Sequence, residues 1–168
     1  MENSLSDSIL HVCEVLNRYT VQYLIVGGTA VALHGYFRHS TNSAGVINEK
    51  PDLDFWYNPT YGNYFKLLNA LEELGQDVTR FKAEQMPNPR KSFFRYEFEQ
   101  FTLDLLPELK SPLKFSVSFI KREVAVLNEI DIPFISYNDL VADKEGNARP
   151  KDIIDIEELK RLRSANGG

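Results

Sequence analysis

A short apolar run near the start of the chain ends abruptly at two glycines. Residues 23–26 are four β-favouring residues, and Gly27 and Gly28 follow them directly. Such a run predicts a buried strand, and the glycines predict a tight turn after it. The apolar stretch as far as Gly35 predicts a short helix. This succession brings a glycine backbone and a helix N-terminus to one point, where free N–H groups can face a phosphate.

The glycine pair leaves two interpretations open. A Gly-Gly pair at a strand end is commonly just a turn. The Gly-Lys-Ser/Thr sequence of a Walker loop is missing here, and so is the third glycine of the dinucleotide fingerprint. Thr29 adds a hydroxyl directly after the pair. The glycines therefore indicate either a plain turn or a phosphate-binding turn of another kind.

The remaining pattern predicts a mixed β-sheet flanked by helices, an α/β (α+β) fold. Strand-like runs cover residues 52–57, 93–99, 101–106, 123–127 and 130–134. Helical periodicity covers residues 5–19, 65–74, 137–143 and 150–162. We see no repeat or linker that divides the chain, so we expect a single domain over residues 1–168.

Composition excludes several classes of protein. The 19 basic and 24 acidic residues give a net charge of −5, which argues against wrapping nucleic acid through global charge. Cys13 is the only cysteine, so an internal disulfide and a cysteine-based zinc cluster are both excluded. No apolar run reaches the roughly 18 residues that a membrane helix needs, and residues 1–7 do not resemble a signal peptide. We therefore expect a cytoplasmic protein without membrane contact.

Two aspartates in the second strand-like run, Asp52 and Asp54, are a candidate metal site. Residues two apart on a strand point to the same face, so these carboxylates repel each other unless a cation lies between them. Hard cations such as Mg²⁺ prefer carboxylate and phosphate oxygens. The alternative is a solvated strand end.

Asp104 is a third candidate acid. It alternates with Leu103 and Leu105 in a later strand-like run, and burying a carboxylate there is unfavourable unless it is paired or binds a metal. The alternative is the exposed face of an edge strand. Glu97 and Glu99 on the neighbouring run alternate in the same way and are rival acids.

Together these features resemble the nucleotidyltransferase superfamily that includes the polymerase-β-like enzymes. The chain is most similar to a small bacterial branch, the nucleotidyltransferase toxin of abortive-infection toxin–antitoxin pairs. The resemblance spans residues 22–160, with 76–95 unmatched, and implies a minimal nucleotidyltransferase fold. Its motifs are Val26-Gly27-Gly28-Thr29-Ala30, Asp52-Leu53-Asp54, Leu103-Asp104-Leu105 and Arg149-Pro150-Lys151-Asp152.

The resemblance also implies a mechanism. Asp52 and Asp54 would bind two Mg²⁺ ions when nucleotide is present, and Asp104 would complete one metal site and help to deprotonate an acceptor hydroxyl. That hydroxyl would attack the α-phosphate of an NTP, and pyrophosphate would leave. Gly27, Gly28 and Thr29 would hold the triphosphate.

Three basic residues near the C-terminus are candidates for binding triphosphate or acceptor phosphate: Lys144, Arg149 and Lys151. The alternative is that they lie on solvated faces of terminal helices.

The chain departs from the family pattern between Arg38 and Pro51. In the family an Arg-x-Thr segment runs almost directly into the Asp-x-Asp strand, whereas here ten residues separate Thr41 from Asp52. This aperiodic insertion is either a lid or acceptor-binding loop beside the site, or a neutral surface insertion.

The resemblance leaves the acceptor open. RNA, and a tRNA end in particular, is the leading expectation, with a protein hydroxyl or a small molecule such as an aminoglycoside as the alternative. The rival function is a non-catalytic protein that binds nucleotide or an antitoxin-like partner. The presence of all three aspartates favours an active enzyme.

Overall fold

The computed structural model describes residues 2–35 and 51–165, which form six strands and seven helices. The strands are β1 (Tyr23–Val26), β2 (Asp52–Tyr57), β3 (Phe94–Glu97), β4 (Thr102–Leu106), β5 (Glu123–Leu127) and β6 (Ile130–Phe134). The helices are α1 (Glu2–Arg18), α2 (Gly27–Leu33), α3 (Tyr61–Glu73), α4 (Thr79–Lys82), α5 (Phe115–Ile120), α6 (Tyr137–Asn147) and α7 (Pro150–Ala165). The predicted insertion lies outside the described residues except for Pro51.

The strands form one sheet in the order β3-β4-β2-β1-β6-β5. Two of its pairings are parallel, β2 with β4 and β1 with β6, and the other three are antiparallel. The predicted mixed sheet flanked by helices is therefore confirmed. The strand that carries the Asp-x-Asp motif lies in the interior of the sheet, between β1 and β4.

The periodic N-terminal segment forms α1, which packs against β6 and α3. Its buried face includes Val12, Val15 and Leu16, at the three- and four-residue steps that an amphipathic helix requires. Cys13 is fully buried in this face, and burial raises the pKa of its thiol to about 11. The cysteine therefore serves packing, because a thiol with that pKa is protonated at neutral pH.

The two faces of β2 carry different chemistry. Phe55 stacks on Tyr23 of β1 and belongs to the face that packs on the apolar core. Asp52, Asp54 and Trp56 occupy alternate positions and therefore share the opposite face. Trp56 is buried there, with its ring edge-on to Phe115 of α5. This second face is apolar at one end of the strand and acidic at the other.

Three short elements were not expected from the sequence: α4, α5 and a 3₁₀ turn over Pro89–Lys91. Each is shorter than two helical turns, too short for a clear period. Tyr57 and Tyr64 are fully buried, and the Tyr57 hydroxyl donates to the carbonyl oxygen of Pro89. No helix within the described residues is long and apolar enough to cross a membrane.

Candidate active site

The parallel pairing of β2 with β4 brings the three predicted acids to one face of the sheet. Asp54 lies opposite Asp104, and Asp52 lies opposite Thr102. Because β3 covers the outer side of β4, Asp104 lies on an interior strand and is only 5% exposed. The alternative of an exposed edge strand is therefore wrong for Asp104.

Asp54 lies against the glycine turn that ends β1. Its Oδ2 atom approaches Gly27 so closely that a Cβ atom on residue 27 would lie 2.5 Å away. Gly27 has a φ of +67°, in the left-handed region that glycine enters without strain. The glycine thus meets two requirements at once, a sharp turn out of β1 and space for the Asp54 carboxylate.

The surroundings of Asp54 favour its protonated form. Burial is the main cause; the negative charge of Asp104, a hydrogen bond with Asp104 and the charge of Asp52 add to it, while Lys144 acts in the opposite direction. Together they raise the pKa of Asp54 to about 7. Without a metal ion, the positive charge near Asp54 and Asp104 is therefore too small to balance two ionised carboxylates.

Asp104 has a cationic partner that the sequence analysis missed. Arg95 on β3 lies opposite Asp104 in the β3–β4 register. Its Nε donates to Oδ1 of Asp104 at 2.7 Å, and a terminal nitrogen donates to Oδ2 at 2.8 Å. These bonds hold the pKa of Arg95 above its usual range. The only sequence signal was an arginine at an alternating position in a strand that pairs with the acidic strand.

Beside Asp54 the protein has a cavity of about 340 Å³. Gly27 and Asp54 form one side of it, and Lys144 and Arg149 contribute cations from the α6–α7 region. Of the three predicted acids, all within the described residues, only Asp54 lines this cavity. Its other lining residues are Val26, Leu106, Glu108, Leu109, Lys110, Asp143 and Asn147.

Lys144 and Arg149 are held by carboxylates at the start of α7. The Lys144 ammonium, 3% exposed, lies 3.2 Å from Asp152 and 3.1 Å from Asp155. Arg149 donates to Asp152 from its backbone N–H and its guanidinium. Burial alone would raise the pKa of Asp152, but Arg149 and Lys144 outweigh it, and the net pKa is lowered. Lys144 therefore belongs to a buried ion network, and the alternative of a solvated helix face is wrong for this residue.

The remaining predicted residues take different positions. Gly28 is exposed and Thr29 partly buried at the start of α2, while Lys151 is exposed on α7 and does not line the cavity. The rival acids Glu97 and Glu99 are both exposed. A further buried acid escaped prediction: Asp143 lines the cavity, and burial raises its pKa although it accepts a hydrogen bond from Ser111.

The acid pair fits a divalent cation on chemical grounds. Asp54 and Asp104 offer hard carboxylate oxygens on adjacent strands, and the raised pKa of Asp54 reflects burial first and then repulsion by its neighbouring carboxylates, both of which a bound cation would offset. Within the described residues, no three histidine, cysteine or acidic side chains form a ready metal cage. An ion held by two carboxylates would share its remaining coordination with phosphate oxygens and water, as Mg²⁺ commonly does.

No family model matches the chain, and no curated protein matches it. Among solved structures, the chain is similar to the lincosamide antibiotic adenylyltransferase LnuA bound to lincomycin, at 17% identity and a TM-score of 0.55 over 89% of this chain and 92% of that one. It is also similar to the antibiotic-resistance factor ANT(2'')-Ia in solution, at 16% identity and a TM-score of 0.52 over 99% and 86% of the two chains.

A third similar structure is an antigenic nucleotidyltransferase-like protein from Paracoccidioides brasiliensis. It is 14% identical, with a TM-score of 0.52 over 95% of this chain and 77% of that one. At these identities the likeness concerns the backbone arrangement. The chain therefore has the fold of solved nucleotidyltransferases.

Proposed function

We propose that the protein is a Mg²⁺-dependent nucleotidyltransferase that moves an NMP group from an NTP to a hydroxyl on an acceptor. The observation that carries this proposal is the placement of Asp54 and Asp104 on adjacent strands, beside Gly27 and a cavity lined by Lys144 and Arg149. The fold shared with LnuA and ANT(2'')-Ia adds support.

In this proposal the acids hold metal and receive a proton. Asp52, Asp54 and Asp104 would hold two Mg²⁺ ions, which when bound supply positive charge to the phosphate oxygens. Asp104 would accept the proton of the acceptor hydroxyl as its oxygen bonds to the α-phosphorus. The bond between the α-phosphorus and the bridging oxygen breaks, and pyrophosphate leaves. The protein contributes mainly position and charge compensation.

The glycine turn and the cavity would receive the triphosphate. Gly27 and Gly28 offer backbone without side chains, and Thr29 offers a hydroxyl at the start of α2. Lys144 and Arg149 face the cavity from rigid, ion-paired positions, so they present positive charge with little loss of side-chain entropy. Lys151 is exposed on α7 and would contact only phosphate groups outside the cavity.

The candidate acceptors are RNA, a protein hydroxyl and a small molecule. The sequence resemblance implies RNA, in particular a tRNA end, and with it an antitoxin-like protein partner. LnuA is a lincosamide antibiotic adenylyltransferase and ANT(2'')-Ia an antibiotic-resistance factor. The shared fold therefore favours a small hydroxyl-bearing molecule as the acceptor. The net charge of −5 favours a small or cationic acceptor over a long RNA contact.

The test incubates the protein with each α-labelled NTP and Mg²⁺, in parallel with total RNA, cell lysate and a panel of aminoglycosides and lincosamides. We expect label on one acceptor class, pyrophosphate release in step with it, and loss of both when EDTA removes the metal. Label on no acceptor, together with no Mg·NTP-induced rise in melting temperature, would contradict the proposal. A rise in melting temperature without transfer would favour the non-catalytic nucleotide-binding alternative.

A further inference from the structure

We propose that Arg95 is a displaceable counter-ion: in the metal-free protein its guanidinium holds Asp104, and a divalent cation binds as that guanidinium leaves. The inference rests on the proposed function, because it concerns the same acids. It adds a residue that neither the sequence pattern nor the comparisons assign, and it predicts what limits metal loading.

The sheet register places Arg95 at the end of a charged row. Arg95 lies opposite Asp104 between β3 and β4, and Asp104 lies opposite Asp54 between β4 and β2. The three side chains therefore share one face of three adjacent strands. The row has two carboxylates and one cation, so the excess negative charge falls on Asp54, farthest from the arginine.

The contact between Arg95 and Asp104 is a two-point contact. The fork of the guanidinium matches both carboxylate oxygens, at 2.7 and 2.8 Å. A metal ion that approached Asp104 from this side would find both carboxylate oxygens already hydrogen-bonded to Arg95. It would also be repelled by the positive charge of the guanidinium. Arg95 and a divalent cation therefore compete for Asp104.

The two partners differ in how easily they can move. The Asp104 side chain is 6% exposed on an interior strand, so it cannot exchange its partner for bulk water. The Arg95 side chain is 57% exposed and rises from β3, the edge strand of the sheet. Arg95 can therefore turn into solvent at a small free-energy cost, whereas Asp104 needs a cation in either state.

The test measures Mn²⁺ binding without nucleotide, by electron paramagnetic resonance of the free ion, so it does not depend on catalysis. We expect Arg95→Gln to bind Mn²⁺ about tenfold more tightly than the wild type, since the competing cation is gone. Arg95→Lys keeps the positive charge but loses the two-point contact, so its Mn²⁺ affinity should lie between those of the wild type and Arg95→Gln. If Arg95→Gln does not fold, the comparison of Arg95→Lys with wild type decides the question.

A matched control separates competition from general electrostatics. Arg122→Gln makes the same change in net charge beside β5, at the opposite edge of the sheet, where the Arg122 guanidinium lies 4.0 Å from the centre of the Phe119 ring. We expect it to leave Mn²⁺ affinity unchanged. Affinity of Arg95→Gln equal to or below that of wild type would overturn the inference, because Arg95 would then position Asp104 for the metal.

An Asp54→Asn arm distinguishes this failure from failure of the proposed function. If Asp54→Asn weakens Mn²⁺ binding but Arg95→Gln does not strengthen it, only the inference about Arg95 fails. If Asp54→Asn binds Mn²⁺ as the wild type does, the ion does not occupy the acid pair and both proposals fail. If no variant binds Mn²⁺ without nucleotide, the inference about Arg95 fails, and the transfer assay alone decides the proposed function.

Thermal melting in metal-free buffer without chelator gives a second readout. Arg95→Gln leaves Asp104 buried without its cation, so the melting temperature should fall by about 5 °C, and Mn²⁺ should recover most of that loss. Arg122→Gln should show neither effect. A melting loss that Mn²⁺ does not recover would mark Arg95 as purely structural and contradict the inference.

Discussion

Asp54 occupies a position where a carboxylate is poorly tolerated while no metal ion is bound. Burial, followed by the charge and hydrogen bond of Asp104, raises its pKa to about 7. The unfolded chain releases the same proton near pH 4. The free energy of unfolding therefore falls as pH rises from about 4 to about 7, and it stays at the lower level above pH 7.

We expect Asp54→Asn to flatten this dependence in metal-free buffer. At pH 8 the variant should be more stable than the wild type by on the order of 2 kcal/mol, because asparagine carries no charge to destabilise the folded state. Below about pH 4 the stabilities of the two proteins should converge, since the wild-type carboxyl is then protonated in the folded and the unfolded states alike. Melting can be followed by fluorescence of Trp56, the only tryptophan and a buried one.

Asp7→Asn is the control for this prediction, because Asp7 is exposed on α1. It should change stability little at either pH. A variant Asp54→Asn that is less stable than wild type at pH 8 would show that the carboxylate stabilises the fold, which is the opposite of what the raised pKa of Asp54 requires.

Gly27 has no side chain and so leaves the space that the Asp54 carboxylate occupies. We expect Gly27→Ala to destabilise the protein by about 2 kcal/mol or more, because a left-handed φ is strained for alanine and the new Cβ meets the Asp54 carboxylate. Gly62→Ala on α3 is the matched control: a Cβ there meets nothing within 4 Å, and alanine favours a helix. Chemical denaturation of both variants measures the difference, and equal stability of the two would refute this account of Gly27.

At the scale of elements, α6 and α7 are joined by buried charge as well as by packing. Lys144 of α6 lies between Asp152 and Asp155 of α7, and all three side chains are almost completely buried. Such a network adds little net stability when complete, but removing Lys144 takes away a cation that two buried carboxylates share.

We therefore predict that Lys144→Ala costs about 3–5 kcal/mol of stability, a loss measured by urea denaturation. Lys160→Ala, an exposed lysine of α7, should change stability by less than about 0.5 kcal/mol. Because the loss at Lys144 is structural, activity of Lys144→Ala should be compared per folded molecule. A Lys144→Ala variant as stable as the wild type would show that Asp152 and Asp155 do not need this partner.

Local patterns predicted the elements that define the site, but pairings between distant strands were not predictable in the same way. Alternation in 52–57 correctly placed Asp52 and Asp54 on one face of a strand, and Pro150 correctly marked the start of α7. The register that sets Asp104 between Asp54 and Arg95 depends on contacts among β2, β3 and β4, which alternation within one strand cannot specify. The burial of Lys144 was missed for the same reason, since its partners lie on the next helix.

At the scale of the whole molecule, Asp54 adjoins both the Asp104–Arg95 pair and the cavity that Lys144 and Arg149 line. Asp104 and Arg95 lie toward the β3 edge, whereas Lys144 and Arg149 line the cavity next to Gly27. A triphosphate in the cavity would meet the cations, and an acceptor hydroxyl would approach from the Asp104 side. The proposed NMP transfer would use this arrangement, on a fold shared with solved nucleotidyltransferases.

The most direct test of this account compares NMP transfer by the wild type and Asp54→Asn at pH 8. Transfer of α-labelled NMP to the acceptor found in the screen is measured per folded molecule, with the folded fraction taken from Trp56 fluorescence. We predict that Asp54→Asn loses at least about a hundredfold in transfer, corresponding to about 2.7 kcal/mol or more of transition-state stabilisation, while it melts no lower than the wild type. Transfer by Asp54→Asn at the wild-type rate would contradict the central claim that this acid pair is the catalytic site.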